Sequence, residues 1–393
     1  MIQIAVKDLQ IDHILGKSIY GLNNKLMLGA GYRITPEIKV KLIERGYLYV
    51  YIMEEGTENV TPQDIISDEV RMLALTKMES KAEEINQLLK FKELSRGKLY
   101  ELINSGYLQN ITITHNVKTI VHEMLSDIAA VGVKFLNSML FKSKSTYLFD
   151  HSLNTTIISI LIGKRYGFTK TELSDLAVGA FLHDFGKIVI DKLDQSRAGG
   201  DLESMMKEHP TFGYLIVRNS RNASPISCQI INQHHEFQDG SGYPSGLTGE
   251  NLPPIGTAKR KPGSMYRLAE IVVVANVFDN LLFNQFHQRK LSPVDAVKKL
   301  LEGKETLYNK DIIATLVQIV PAFPEASLVR VRKLTGLNSP KSFHSYTAVV
   351  AKINEEALHR PVIILIRDKI GNQISPQVID TSKLREVELE LIL

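Results

Sequence analysis

The chain holds a single cysteine, Cys228, and no tryptophan among its 393 residues. One thiol excludes an intramolecular disulfide framework and any thiolate metal cluster, and it fits a reducing compartment, so a cytoplasmic location is expected. Nowhere do about 18 apolar residues follow one another, the length a membrane span needs. The richest apolar run, residues 271–278, is far shorter, and residues 1–8 reach Lys7 and Asp8 before a signal-peptide core could form. An excess of one charge sign is also lacking. The 47 basic and 43 acidic residues leave a net charge of +4. No basic stripe carries interleaved aromatics, which argues against binding a nucleic-acid polymer. Repeats and low-complexity tracts are missing as well. What remains is an ordinary globular balance, 44% hydrophobic and 23% charged, with ample apolar surface for a core. At roughly 150 residues per domain, this length predicts two or three domains.

Patterning divides the chain into four expected units. Residues 1–60 read as a small mixed α/β domain. Ile2, Ile4 and Val6 alternate as in a strand. Thr35-Pro36-Glu37 then opens a helix, with Thr as cap and Pro in the first turn, and that helix ends at Gly46. Residues 61–145 read as a helical connector beginning at the cap Thr61-Pro62-Gln63-Asp64, with Leu88, Leu89, Leu94, Leu99, Leu102 and Ile103 at helical spacings. Such a segment could pair two copies into a homodimer. Residues 146–327 read as one helical domain, within which Thr169-Lys170-Thr171-Glu172 is a capping box. Residues 328–393 switch to strand-like runs such as Ala348-Val349-Val350 and Val362-Ile363-Ile364-Leu365-Ile366, a short β-rich appendage. The expected fold class is therefore mainly α, flanked by these two smaller units.

Histidines concentrate in the helical domain. Five of the eleven fall between residues 151 and 235: His151, His183, His209, His234 and His235. A lone histidine on an apolar helix is usually a satisfied core residue. Four separate segments bearing them, roughly 25 to 32 residues apart, are hard to obtain by chance. His183 is followed by Asp184, and Lys187 lies three residues further on, a spacing that on a helix places it on the face of Asp184. Neutral imidazoles with a carboxylate are ligands for iron, manganese or zinc. Two such ions roughly 3.5–4 Å apart can hold a bridging hydroxide and clamp a phosphoryl group.

His183-Asp184-Phe185-Gly186-Lys187, Glu208-His209-Pro210-Thr211-Phe212-Gly213, His234-His235-Glu236 and Asp239-Gly240-Ser241-Gly242-Tyr243-Pro244 together resemble the HD-GYP family, a branch of the HD metal-dependent phosphohydrolases. The resemblance covers about residues 140–330, and residues 1–60 are similar to a small regulatory-type domain often found ahead of it. It implies a helical HD-type domain holding two divalent ions, iron or manganese, with zinc as a further candidate. The implied reaction is hydrolysis of cyclic di-GMP to linear pGpG, and onward to GMP in some members, by a metal-bridging hydroxide attacking phosphorus. It further implies His151, His183, Asp184, His209, His234, His235 and Asn276 as the ligand positions, with Asp184 bridging and acting with Lys187 in catalysis. Asp239, Gly242, Tyr243 and Pro244 are implied on the substrate side, and the loop around Tyr243 as a contact for partner proteins.

The chain departs from the family in several places. Val274-Ala275-Asn276-Val277-Phe278-Asp279 carries a neutral Asn276 where the family has an aspartate ligand, with Asp279 following as partial compensation. Tyr147 stands four residues ahead of His151, where three-metal members carry a glutamate, which favours two ions. The family's Arg-Pro-Tyr patch is replaced by Gln285-Phe286-His287-Gln288, followed by Arg289-Lys290 as candidate phosphate contacts. A basic segment, Lys259-Arg260-Lys261, lies in an insertion before Asn276. Two readings follow: a working cyclic-dinucleotide phosphodiesterase, or a catalytically weak relative that keeps metal and nucleotide as a sensor or interaction module.

Overall fold

The structure is a computed structural model. It describes residues 1–20, 26–89, 95–107, 113–132, 136, 147–190, 202–220, 222–255, 261–282, 291–336 and 343–392. The N-terminal unit contains β1 (Ile2–Ala5), β2 (Ile19–Tyr20), β3 (Leu26–Leu28), α1 (Pro36–Glu44) and β4 (Tyr49–Ile52). β1 pairs antiparallel with β4, and β2 with β3. α1 starts as the sequence predicts, with the Thr35 hydroxyl accepting from the Ile38 amide and Pro36 in the first turn. Gly46 follows the helix at φ 72°, a conformation that glycine adopts without steric cost.

The next helices are α2 (Asp68–Leu89), α3 (Arg96–Asn104) and α4 (Ile113–Ala130). α2 begins six residues later than a cap at Thr61 predicts. Ser67 caps it instead, its hydroxyl accepting from the Val70 amide, while Asp127 of α4 accepts from the Ser67 amide and hydroxyl at 2.8 and 2.7 Å. The tertiary partner decides where the helix starts. Then come α5 (Tyr147–Arg165), α6 (Lys170–Leu182), α7 (Lys187–Ile190), α8 (Leu202–Met206), α9 (His209–Arg218), α10 (Pro225–Gln233), α11 (Arg267–Leu282), α12 (Pro293–Glu302) and α13 (Lys310–Val317). The capping box at Thr169 and Glu172 is formed. One continuous apolar core runs from Ile65 to Val320, so α2, α3 and α4 are packed into the body that carries the histidines.

β5 (Leu328–Thr335), β6 (Thr347–Lys352), β7 (Val362–Arg367), β8 (Gln373–Asp380) and β9 (Glu386–Leu391) form an antiparallel sheet in the order β8-β7-β6-β5-β9. Side chains alternate across a strand, and both faces of this sheet are covered. Val349, Ile364 and Ile366 pack with Leu15, Ile34 and Val50 of the N-terminal unit, whereas Ala348, Val350, Ile363 and Leu365 pack with Phe343, Ile379 and Leu384. That double burial explains the unbroken apolar run in β7. The Gln3 amide donates to the Ala326 carbonyl at 2.8 Å, and Arg367 pairs with Glu54 at 2.5 Å. The two ends of the chain therefore build a second body beside the helical one. No helix among the described residues is long and apolar enough to cross a membrane.

Candidate metal centre

Three of the predicted ligands lie at helix ends. His183 caps the C-terminus of α6, His209 opens α9, and His234 caps the C-terminus of α10. Each turns its Nδ1 onto the carbonyl three residues earlier: His183 to Ala180 at 2.7 Å, His209 to Met206 at 2.6 Å, His234 to Ile231 at 2.7 Å. Carbonyls in a last helical turn lack an intrahelical donor, so each ring supplies one and is fixed in a single tautomer. The proton sits on Nδ1, and Nε2 keeps its lone pair. His151, within α5, obtains the same tautomer from a carboxylate, with Nδ1 2.6 Å from Asp279 Oδ2. Asn154 Nδ2 holds the other oxygen of Asp279 at 3.1 Å.

These lone pairs converge. His209 Nε2 lies 3.0 Å from His234 Nε2, and His183 Nε2 lies 3.2 Å from His151 Nε2. Asp184 sits between the two pairs. Its Oδ1 is 3.0 Å from His209 Nε2 and 3.7 Å from His234 Nε2; its Oδ2 is 3.5 Å from His183 Nε2 and 3.7 Å from His151 Nε2. Asp184 Oδ1 is buried and accepts no hydrogen bond among the described residues, in keeping with a neighbouring Nε2 that carries no proton. Acceptors facing acceptors at these distances repel unless a cation lies among them. Donors 2.0–2.1 Å from a common tetrahedral ion stand about 3.3 Å apart, so these spacings suit metal binding, and the donors fall into two groups that share Asp184. One group gathers Asp184, His209, His234 and His235, the other His151, His183 and Asp184, and either could hold a metal ion.

The electrostatics agree. Burial, reinforced by neighbouring imidazoles, holds His183 and His235 well below the usual histidine range, and His234 is lowered to about 4. Burial alone would raise the Asp184 carboxyl, but the Lys187 ammonium and His183 outweigh it and hold the group well below the usual carboxylate range. Lys187 Nζ donates to Asp184 Oδ2 at 2.5 Å, as the three-residue spacing predicts, although the helix breaks at His183 and restarts at Lys187.

Two glycines make this convergence sterically feasible. A Cβ on Gly186 would lie 2.0 Å from the His209 carbonyl oxygen and 2.7 Å from the Gly213 amide nitrogen, so only hydrogen fits where α7 meets α9. A Cβ on Gly242 would lie 2.4 Å from the His235 carbonyl oxygen. That contact brings the Tyr243 ring over His235, with centroids 4.6 Å apart and planes 14° apart. The Tyr243 amide donates to the His235 carbonyl at 3.0 Å. Asp239, Gly242, Tyr243 and Pro244 thus share one loop beside the centre. Asp239 is exposed, and its Oδ1 accepts from the amide and hydroxyl of Ser241.

Asn276 is buried, and its Oδ1 accepts from Asn280 Nδ2 at 2.7 Å; Asn280 Oδ1 in turn accepts from the Tyr147 hydroxyl at 2.9 Å. Arg289 and Lys290 lie outside the described residues, as does the 285–288 segment that replaces the family's basic patch. The sequence reading missed several supporting groups. Glu236, fully buried, accepts from the Ser245 and Leu247 amides at 2.8 Å each and ties down the Tyr243 loop. Arg71 of α2 pairs at 3.0 Å with Asp150, which precedes His151. Arg96 and Tyr100 of α3 hold Glu208, which precedes His209. The one available signal was that each of these acids adjoins a histidine.

Residues 148–281 match the family model described as HD domain. This stretch is an HD domain. The expectation of an HD-type helical domain is thereby borne out, and its His183-Asp184 pair stands at the centre just described. The chain has several curated relatives. The chain is 36% identical over 162 residues to the cyclic di-GMP phosphodiesterase response regulator RpfG of Xanthomonas campestris pv. campestris, covering 40% of this chain and 39% of that protein. It is 24% identical over 241 residues to a cyclic di-GMP phosphodiesterase of Thermotoga maritima, covering 59% and 61%. It is 26% identical over 230 residues to the 3'3'-cGAMP-specific phosphodiesterase 2 of Vibrio cholerae, covering 58% and 40%. The chain spans less than two thirds of the length of each of these relatives. Among solved structures, it aligns with Bd1817, described as an HDG"Y"P protein from Bdellovibrio bacteriovorus, with 19% identity and a TM-score of 0.38 over 80% of this chain and 97% of that one.

Proposed function

We propose that the protein is a metal-dependent phosphodiesterase that opens a cyclic dinucleotide, cyclic di-GMP or a close relative, to the linear dinucleotide, with the chemistry in residues 146–327. The observation that carries this reading is the ring of Nε2 lone pairs around Asp184, each imposed by a hydrogen bond at Nδ1. Similarity to cyclic-dinucleotide phosphodiesterases supports the substrate class. His151, His183, Asp184, His209, His234 and His235 would hold two divalent ions, iron or manganese or else zinc. When bound, such ions supply a water nucleophile at neutral pH and offset charge on the phosphoryl oxygens.

The chain's own groups do the rest. Asp184 offers one oxygen to each ion position. Lys187, 27% exposed and anchored on Asp184, presents an ammonium where negative charge grows on the phosphate, and fixed charge of that kind is often the largest catalytic contribution. Tyr243, stacked on His235, walls one side of the centre, with Asp239, Gly242 and Pro244 in the same loop as candidates for contact with a base or sugar. Arg289 and Lys290 are the next candidates for phosphate contact. Asn276 gives a second reading its footing: without an aspartate there, a protein that binds the nucleotide and turns it over slowly would act as a sensor.

The test is direct. Protein purified without oxygen is assayed for bound iron and manganese, and cyclic di-GMP is followed by chromatography. Linear pGpG that disappears in His183→Ala supports hydrolysis, and GMP appearing later marks a second cut. Tight nucleotide binding without product favours the sensor. Absence of both metal and nucleotide binding would end the proposal.

A further inference from the structure

The two halves of the centre differ in what holds their charge. Asp184 Oδ1, facing His209 and His234, accepts no hydrogen bond among the described residues. Asp184 Oδ2, facing His183 and His151, already carries the Lys187 ammonium at 2.5 Å. A cation entering beside Oδ1 meets a vacant lone pair and three imidazoles, His209, His234 and His235. A cation entering beside Oδ2 meets two imidazoles and must share its oxygen with an ammonium group. The amide of Asn276, whose Oδ1 accepts from Asn280, adds no charge. One feature offsets this deficit. Of the four histidines of the centre whose Nδ1 contact is described, His151 alone has a carboxylate there, Asp279, rather than a backbone carbonyl. A carboxylate on the far nitrogen makes the imidazole a stronger donor.

We infer that the two ion positions fill in order, the Asp184–His209–His234–His235 position first, and that Asp279 acts through His151 as the positioning residue that makes the second position bindable, against competition from Lys187. The inference rests on the two-ion reading and adds to it an order and a cause. At limiting metal the protein would then hold one ion, and the second position would respond to metal supply.

The full chain, stripped with chelator, is titrated with Mn2+ while calorimetry records the binding steps and electron paramagnetic resonance distinguishes a lone ion from an exchange-coupled pair. Two steps are expected, with the coupled signal growing only in the second. Asp279→Asn should weaken the second step about 10- to 100-fold, the usual loss for an outer partner of a ligand, and leave the first in place. Lys187→Met should tighten the second step more than the first. Opposite shifts in one step cannot come from general destabilisation. If Asp279→Asn fails to fold by circular dichroism, Lys187→Met decides alone, since its side chain is partly exposed. Two equal steps in the wild type, or a Lys187→Met variant that moves only the first step, would overturn the inference and leave the two-ion reading intact. No bound Mn2+ at all would overturn that reading itself.

Discussion

Between Ile65 and Val320 the core holds ionisable and amide side chains among its aliphatic ones. Asp150, His151, His183, Asp184, His209, His234, Asn276 and Asp279 are each no more than 2% exposed. In the body made by the two chain ends, the buried polar side chains among the described residues are Gln3, Thr57, Ser327 and Thr381, none of them ionisable. Three of those donate to a nearby backbone carbonyl, at Glu54, Pro324 and Pro361. Burying a charge is costly unless it is paired. The helical body accepts that cost where the site needs it, and the terminal body avoids it. Damage to one should therefore read out as lost chemistry, and damage to the other as lost stability alone.

Gly186→Ala should give the largest effect of both kinds. The added methyl would press on the backbone of His209 and Gly213, and backbone cannot rotate away as a side chain can. Overpacking of that sort costs about 3 kcal/mol or more, and here it also separates His209 from Asp184. Urea denaturation should show the lost stability, and a metal count should show loss of ions from whatever remains folded. Full metal occupancy in the variant would mean that the close approach is not needed.

Leu15→Ala probes the other body. Leu15 is fully buried in the core shared by the N-terminal unit and the sheet, so about 3 kcal/mol should be lost there. Metal stoichiometry and turnover at low temperature should stay at wild-type values. A parallel loss of metal would erase the contrast between the two bodies.

How much of this was legible in the sequence follows the same division. The candidate ligands could be read because histidine is a rare residue, and His183, His209 and His234 stand at helix ends in segments whose local pattern is strong. Thr35 and Thr169 were readable as caps for the same reason, since the partner lies three residues away. Thr61 misled because Ser67, anchored by Asp127 sixty residues on, does the capping. The Gln3 to Ala326 bond and the packing of Leu15 against one face of the sheet join opposite ends of the chain. No local spacing records such pairings. Asp279 was visible only as a possible substitute ligand; its contact with His151 Nδ1 depends on how α5 and α11 lie together.

The smallest expected effect tests charge burial away from the ions. Glu270 of α11 is 2% exposed, and its Oε2 accepts from Asn309 Nδ2 at 2.6 Å and Gln238 Nε2 at 2.7 Å. Burial raises its carboxyl from 4.5 to about 7, against the pull of those two amides. Between those values the folded chain holds a proton that the unfolded chain has released, so stability falls as pH rises through the window. The stabilisation is complete below about pH 4.5 and gone above about pH 7, a span of at most about 3 kcal/mol. Glu270→Gln keeps an acceptor for both amides and cannot ionise. The stability difference between wild type and variant, from urea midpoints at pH 5 to 8, should therefore shift toward the variant as pH rises, with metal binding unchanged. Gln238 also accepts from the Asn251 amide at 3.0 Å, so Glu270 fastens the loop that carries Tyr243. A difference that stays flat with pH would mean the carboxylate is already ionised in the fold, and that even outside the candidate metal centre the helical body stabilises a fully buried carboxylate of a kind absent among the described residues of the terminal body.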